Sequence, residues 1–423
     1  MRNKTIDDLK MKIYSARAIE ILDSRGNPTV KACLLLEDGT EGAASVPSGA
    51  STGAYEAREL RDGDTTRFGG KGVLGAVKNI NGEISKAIAG LSAEDQSLID
   101  KTLIELDGTE NKSRLGANAM LAVSLAAARA AASSTKQPLY KYLNKITGAE
   151  IKMPVPLMNI INGGVHANWV TDIQEYMITP AGFNFSESVR VCSEIYAKLK
   201  NVLKAENYSV NVGDEGGFAP QVLDNSEPFF LITEAIHQAG YVLGKDINFA
   251  IDVAASEFYQ AGKYRLEREE KELSAEELTE FYKRLIKEHS VTSIEDPFSE
   301  DDWESFVAIT GQLGNKIRIV GDDLYATNPA RILQGINQKA TNAVLIKPNQ
   351  IGTLSETLRA VSLAREGGQS VIISHRSGET EDSFIADLAV AVGAEAIKAG
   401  APARGERTVK YNRLLEIENE LSI

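Results

Sequence analysis

Cysteines and long apolar runs are scarce in this sequence. Only two cysteines occur, Cys33 and Cys192, too few for a disulfide framework, so we expect free thiols in a reducing compartment. The sequence contains no run of about 18 apolar residues, the length needed to cross a membrane. The first ten residues lack the apolar core of a secretory leader, so we expect a cytoplasmic location. A secondary cell-surface or secreted location cannot be read from the sequence.

Positive charge is also in short supply. The chain carries 46 Lys and Arg against 59 Asp and Glu, a net charge of −13. Nucleic acids and anionic membranes need a basic face, so neither is expected as the main partner. A small anionic substrate is still compatible, because a few local cations can bind it. Only four histidines occur, without an HExxH motif or paired cysteines, which argues against zinc.

The length and composition indicate two domains. A chain of 423 residues is too long for one ordinary core, and 43% hydrophobic and 25% charged residues are typical of globular proteins. Strand-like segments between Ile13 and Val46, followed by helical segments, predict a small α+β domain at 1–147. It contains a loop of small residues, Ser48–Gly53, that we expect to be mobile. Two prolines bound a linker near Lys152, and we place the domain boundary around residue 148, so that the second domain covers 148–423.

Five short apolar runs in the second domain end in polar residues whose side chains can bind ions or transfer protons. They recur at roughly 25-residue intervals, about what one strand and its return helix need in an eight-unit barrel of ~250 residues. The residues at these ends are Glu295 and Asp296, Asp322 and Asp323, Lys347, His375, and Lys398. The pattern predicts an α/β fold with a TIM-like (β/α)8-type barrel, whose C-terminal strand ends share one rim.

Earlier segments add further residues to this rim. The run 249–251 ends in Asp252, and the run Val210–Gly213 is interpreted as another barrel segment, ending in Asp214 and Glu215. A long glycine-flanked loop runs from position 159 to 175, which is typical of a lid or substrate loop. Acids facing lysines around one mouth are costly to bury without ligands. We therefore expect a divalent metal on the acidic side and an anion on the basic side.

The predicted rim suggests acid–base chemistry on an acidic carbon. Asp252, Glu295 and Asp322 offer three hard oxygen ligands from three strands, which favours Mg²⁺. Lys347, near a cation and another lysine, is expected to have a depressed pKa and to act as a general base. Its use would be to remove a proton α to a carboxylate.

The opposite side of that reaction needs an acid and a grip on the substrate. Glu215 lies between glycines and can approach a leaving group closely. Arg376 and Ser377 follow His375 and offer a fork of N–H donors and a hydroxyl that suit a phosphate.

Several long stretches together resemble the enolase family from end to end. They are 20–30, 47–53, 211–220, 293–303, 320–324, 347–353 and 374–381. The resemblance implies reversible dehydration of 2-phosphoglycerate to phosphoenolpyruvate in glycolysis and gluconeogenesis. It implies Lys347 as the general base and Glu215 as the general acid. It also implies two Mg²⁺ ions per site.

The same resemblance assigns roles to further residues. Asp252, Glu295 and Asp322 match ligands of the first Mg²⁺, and Ser51 resembles the residue that closes over the second. Arg376 and Ser377 match a phosphate clamp. The remaining substrate-binding positions implied are His166, Gln174, Glu175, His375 and Lys398. Members of the family are homodimers or octamers, and the sequence does not choose between them.

A few positions depart from the family pattern, and two alternatives stay open. Trp169 is unusual in the 165–172 loop and puts its closure rate in doubt, while Pro348, Ala399 and Gly405 replace commoner residues without removing a catalytic group. One alternative is another superfamily lyase or racemase, acting on a non-phosphorylated acid. The other is a non-catalytic surface or binding protein that retains the fold, although the chain ends in isoleucine rather than the lysine linked to plasminogen binding.

Overall fold

The N-terminal part begins with a three-stranded antiparallel sheet. The structure, a computed structural model, describes residues 11–49 and 53–422. Strands β1 (Ile13–Leu22), β2 (Pro28–Leu36) and β3 (Glu41–Ser45) lie in that order. The turn between β1 and β2 forms because Asp23 Oδ1 accepts hydrogen bonds from the backbone N–H groups of Arg25 and Asn27, at 2.8 and 2.9 Å.

Helices cover this sheet. They are α1 (Leu74–Asn79), α2 (Ser85–Ile88), α3 (Gln96–Asp107), α4 (Ala117–Ser134) and α5 (Leu139–Thr147), with a π-helical turn at Ile80–Ile84 joining the first two. The alanine-rich α4 lies directly against β3. A Cβ atom at Gly42 would lie 2.2 Å from Ala130 N, so only glycine permits this approach.

The second part alternates strands and helices. Its elements are β4 (Val155–Asn162), β5 (Glu175–Pro180), α6 (Phe185–Ala205), α7 (Glu227–Gln238), β6 (Ile247–Asp252), β7 (Tyr259–Gln260), β8 (Lys263–Leu266), β9 (Lys271–Leu273), α8 (Ala275–His289), β10 (Val291–Glu295), α9 (Trp303–Leu313), β11 (Arg318–Gly321), α10 (Pro329–Gln338), β12 (Ala343–Ile346), α11 (Pro348–Ile351), α12 (Leu354–Glu366), β13 (Ser370–Ser374), α13 (Phe384–Ala391), β14 (Ala396–Lys398) and α14 (Gly405–Leu421). Strands β7 to β9 form a small separate sheet.

Eight strands close into a barrel, which confirms the predicted fold class. Their order is β4-β5-β6-β10-β11-β12-β13-β14, and β14 returns to β4. Strand β5 is antiparallel to both neighbours, so the barrel is not fully parallel. A small interior core fills it, formed by Leu157, Met177, Ala250, Val320, Ala343, Leu345, Ile372 and Ala396.

One predicted barrel segment was wrong. Residues 210–213 do not form a barrel strand, and the second strand is β5 instead. Val212 is 43% exposed and makes only an isolated bridge with Phe218. A strand buried in a barrel needs a continuous apolar run, and two valines separated by asparagine do not supply one. The segment nevertheless delivers Glu215 to the rim, because Phe218 also bridges to Ile161 of β4.

Side-chain caps begin two of the helices in the second part. Ser274 and Glu277 form a reciprocal capping box at the start of α8. Asn328 caps α10, and Pro329 occupies its first turn. These caps fix where the return helices begin and so help to set the spacing between successive strand ends.

Buried polar contacts join the two parts of the chain. Arg129 of α4 donates two hydrogen bonds of 2.6 Å to the carboxylate of Asp382. Asp100 of α3 accepts from the backbone and hydroxyl of Ser355, at 2.8 and 2.6 Å. The N-terminal sheet is thereby held beside the rim of the barrel.

Candidate active site

The rim of the barrel brings the described predicted residues, except Glu295, into the lining of one polar pocket. The lining includes His166, Gln174, Glu175, Glu215, Asp252, Asp296, Asp322, Asp323, Lys347, Ser374, His375, Arg376, Ser377 and Lys398. The reversed strand β5 contributes the residue at its start, because Glu175 pairs with Asp252 at the end of β6. Glu295 pairs with Asp252 from the other side. Ser51 lies outside the described residues.

Lys398 lies in the middle of the acidic cluster. Its Nζ atom is 2.8 Å from Asp252, 2.9 Å from Glu295 and 3.0 Å from Glu175. Burial lowers the pKa of Lys398, but these carboxylates together raise it well above its ordinary value. Lys398 is therefore a cation that neutralises the acids, rather than part of a separate basic side as the sequence suggested.

Lys347 makes a similar contact with Asp322. The Nζ atom of Lys347 donates to Asp322 Oδ2, and Gln350 donates to the other oxygen at 3.0 Å. Burial lowers the pKa of Lys347, but Asp322 and Glu295 raise it more, so the net shift is upward. The depression of this pKa expected from the sequence depends on a divalent ion close to Lys347, and it stays a prediction.

The acids are crowded in a way that suits a dication. Burial, together with neighbouring carboxylates, raises the pKa of Glu175 and of Glu295 well above the usual range. Glu175 Oε2 and Gln174 Oε1 are buried oxygens without a hydrogen-bond partner. Hard oxygen donors under mutual repulsion match Mg²⁺ chemistry, so the residues present fit a divalent ion.

The closest sets of metal-type ligand atoms differ from the predicted one. Within the described part of the chain, two groups have ligand atoms all within 4.8 Å of one another: His166, Glu175 and Glu215, and Asp296, Asp322 and Asp323. Of the three predicted ligands of the first Mg²⁺, only Asp322 belongs to either group. Lys398 separates Asp252 and Glu295 by bonding to both.

Asp296 is a site residue to which the sequence assigned no role. It lies directly after β10 with a positive φ of 41°. Its two oxygens accept from the backbone N–H groups of Asp322 and Asp323, at 2.9 and 2.7 Å. Its position beside Glu295 at a strand end is the sequence feature that could have identified Asp296 as a site residue. Asp296 thus ties the end of β10 to the end of β11 and orients Asp322.

Glu215 is surrounded by polar groups from three segments. Asn159 of β4 donates to its Oε2 atom at 3.0 Å. His166 Nδ1 and His375 Nε2 lie 3.6 and 3.4 Å from Oε1. The side chain is buried, so these contacts determine where its proton resides.

The protonation of Glu215 depends on the two histidines beside it. Burial raises the pKa of Glu215, but His375 and His166 lower it by more, so the net shift is downward. Burial in turn lowers the pKa of His375 to about 4. A neutral histidine supplies no charge to keep Glu215 ionised, so the cluster behaves as one acid–base unit. A general acid would need the proton on Glu215, and the structure alone favours the carboxylate.

Arg376 is paired with a carboxylate that the sequence analysis overlooked. Its two terminal nitrogens each donate to one oxygen of Glu56 at 2.9 Å. Asn349 accepts a third bond at 3.1 Å. Glu56 follows the small-residue loop, and Ser48 at the start of that loop exchanges two backbone hydrogen bonds with Gly378. The predicted phosphate clamp is therefore bonded to an internal anion from the N-terminal part.

The loop that carries His166 is held by the β8–β9 hairpin. Asn168 and Trp169 both have positive φ angles, of 54° and 58°. The carbonyl of Trp169 accepts from Arg268, with the shorter contact at 2.7 Å. Asp172 accepts from the backbone of Glu267 at 2.9 Å. Trp169 therefore contributes a backbone anchor in this loop.

Comparison with protein-family models covers nearly the whole chain. The model described as "Enolase, N-terminal domain" matches residues 13–143, and "Enolase, C-terminal TIM barrel domain" matches residues 150–423. The chain belongs to the enolase family. Membership places it among lyases of the enolase superfamily, which typically use a divalent metal. It also implies a small phosphorylated substrate. No helix within residues 11–49 and 53–422 is long and apolar enough to span a membrane.

Proposed function

We propose that this enolase-family chain catalyses the reversible, Mg²⁺-dependent dehydration of 2-phosphoglycerate to phosphoenolpyruvate, as a carbon–oxygen lyase of glycolysis and gluconeogenesis. One observation carries the proposal. The same pocket contains a lysine against buried carboxylates, a buried glutamate beside two histidines, and an arginine paired with the carboxylate of Glu56. That combination suits a substrate with a carboxylate, a leaving hydroxyl and a phosphate.

Lys347 is the proposed general base. Its Nζ atom would take the proton from C2, next to the substrate carboxylate, and must first be uncharged. Asp322 raises the pKa of Lys347 in the structure and is also a proposed Mg²⁺ ligand. Withdrawing that carboxylate from Lys347 would favour the neutral amine. Enolase-superfamily sites use a Lys or His base with one or two Mg²⁺, a scheme established for the superfamily rather than deduced from this chain.

Glu215 is the proposed general acid. It would donate a proton to the C3 hydroxyl, which leaves as water when the C2–C3 double bond forms. His166 and His375 would influence whether Glu215 carries that proton, because both rings lie beside the same oxygen, Glu215 Oε1. Arg376 and Ser377 would bind the phosphate. The other proposed substrate contacts are Gln174, Glu175 and Lys398.

The metal ligands proposed for the first ion are Asp252, Glu295 and Asp322, with Ser51 for the second. The oxygen-rich, crowded donor set supports this assignment. When bound, Mg²⁺ would supply positive charge to the substrate carboxylate as negative charge develops on it. For Asp252 and Glu295 to serve as ligands, Lys398 must withdraw from between them.

A coupled measurement of phosphoenolpyruvate formation tests the proposal. Purified protein should convert 2-phosphoglycerate only with Mg²⁺, and a chelator should abolish turnover until Mg²⁺ is restored. Lys347→Ala should lower kcat by several orders of magnitude, while Lys287→Ala, at an exposed lysine of α8, should not. Turnover of only a non-phosphorylated acid would favour another superfamily lyase. No turnover of either substrate would favour a non-catalytic binding protein.

Three further properties are part of the proposal. We place the domain boundary between residues 147 and 148, which agrees with family matches that end at 143 and resume at 150. We propose a homodimer or an octamer, to be distinguished by light scattering after size-exclusion chromatography. We propose a cytoplasmic location, to be tested by fractionation of the source cells.

A further inference from the structure

Arg407 is the largest side chain in the described chain that is completely buried. It lies in the first turn of α14, outside the set of residues predicted for the site. Its Nη1 atom donates to His375 Nδ1 and to the carbonyl of Arg376, both at 2.7 Å. Its Nη2 atom donates to the carbonyls of Asp214 and Ser377, at 3.0 and 2.6 Å. One guanidinium therefore joins the segments that carry Glu215, His375 and Arg376.

The contact with His375 constrains the imidazole. Arginine stays protonated and has only donors, so the nitrogen that it contacts must be an acceptor. A proton on Nδ1 would face an N–H group at 2.7 Å. The remaining nitrogen, Nε2, must then carry the proton of the neutral ring. It lies 3.4 Å from Glu215 Oε1.

We propose that Arg407 is a positioning residue that fixes His375 as the neutral Nε2–H tautomer, with Nε2 lying 3.4 Å from Glu215 Oε1. Arg407 does not touch the space proposed for the substrate and acts through the histidine. Its catalytic consequence rests on the proposed function. The Nε2–H group gives Glu215 a donor of fixed orientation, which stabilises the carboxylate that remains after the acid has given up its proton.

Packing leaves Arg407 little freedom to move away. The backbone of Gly400 packs against the Arg407 side chain. A Cβ atom at Gly400 would lie 2.8 Å from Arg407 Cδ, so this position has no room for a larger residue. Burial lowers the pKa of His375 to about 4, and the charge of Arg407 acts in the same direction, while Glu215 opposes both. The neutral imidazole required by the contact is thus also the form that its surroundings favour.

The tautomer can be measured by ¹⁵N NMR on the full chain with labelled histidine. Only four histidines occur, so the imidazole region is simple, and His375→Asn assigns the relevant signals by their loss. In the wild type at neutral pH, we expect a protonated Nε2 and an unprotonated Nδ1 for His375. A protonated Nδ1, in either the other tautomer or the imidazolium, would overturn the proposal.

Variants test whether Arg407 is the cause. Arg407→Met should release the constraint and change the His375 tautomer or its protonation. If Arg407→Met does not fold, Arg407→Lys replaces it in the test. Lysine retains a buried cation that only donates, so this variant should preserve the tautomer. The matched control is Arg404→Met, whose arginine contacts the carbonyls of Gly213 and Ser24 but not His375. A wild-type His375 signal in Arg407→Met would refute the inference.

Kinetics add a second and separate readout. We expect Arg407→Met to lower kcat by about 10²-fold with a smaller change in KM, because misplacing a catalytic group by about 1 Å has that effect. Arg407→Lys should restore part of the loss. If the wild-type protein lacks the proposed activity but shows the Nε2–H tautomer, the proposed function fails and the positioning inference stands.

Discussion

Replacing Glu56 with glutamine should make the predicted phosphate clamp easier to fill. In the structure, Glu56 bonds both terminal nitrogens of Arg376, and both side chains are about 5% exposed. A phosphate bound by the same fork must displace this carboxylate. Glu56→Gln keeps the shape and one acceptor, but removes the charge and presents an N–H group to a donor.

The size of the effect follows from the bonds that change. A hydrogen bond to a charged group contributes about 1.5–3 kcal/mol, and glutamine can retain only one of the two. If substrate binding must break the pair, losing one charged bond should lower KM for 2-phosphoglycerate by roughly 10- to 150-fold. The free protein should also become less stable, because buried Arg376 loses part of its compensation.

Steady-state kinetics and calorimetric titration with inorganic phosphate would measure this change. Glu59→Gln is the matched control, since Glu59 lies on the same segment but bonds Arg61 and Ser48. An unchanged or higher KM in Glu56→Gln, with unchanged phosphate affinity, would refute the reasoning. It would mean that Glu56 and the substrate phosphate do not compete for Arg376.

Two stability predictions concern the N-terminal sheet. Asp382→Asn should cost roughly 3–5 kcal/mol in urea unfolding, because it breaks a buried pair with Arg129. Burial raises the pKa of Asp382, but Arg129 lowers it by more, so the net shift is downward. The stability that the pair contributes is therefore present above the unfolded pKa of about 3.9, and it is lost as the pH falls through the folded pKa. An equal loss of stability at acidic and neutral pH would contradict this. Gly42→Ala should cost about 1–3 kcal/mol, as its Cβ would overlap the backbone at Ala130, and unchanged thermal unfolding would show that α4 can shift.

The main features of the fold could be predicted from regular spacing. Buried strands of a barrel are short continuous apolar runs, so their ends can be read directly, and Glu295, Asp322, Lys347 and Lys398 all lie at or just beyond such ends. The reversed strand β5 could not be predicted in this way. Its run of six buried residues carries no sign of direction, and the long loop at 163–174 that joins it to β4 could serve either a hairpin or a crossover.

The composition of the pocket was predictable, but its internal pairing was not. Sequence spacing places Lys398 and Asp252 on one rim without showing that the lysine lies among the acids. Glu56 and Arg407 come from segments more than 300 and about 30 residues away from Arg376, with no motif that links them to it. Such contacts depend on how loops pack across the rim, which local patterns do not encode.

Exchange of the C2 proton of 2-phosphoglycerate with deuterated solvent tests the central claim most directly. In the proposed mechanism, Lys347 alone removes this proton, and Glu215 assists the departure of the hydroxyl. With Mg²⁺ present, Glu215→Gln should still exchange the proton but form little phosphoenolpyruvate, while Lys347→Ala should do neither. Exchange in Lys347→Ala at the wild-type rate would contradict the account.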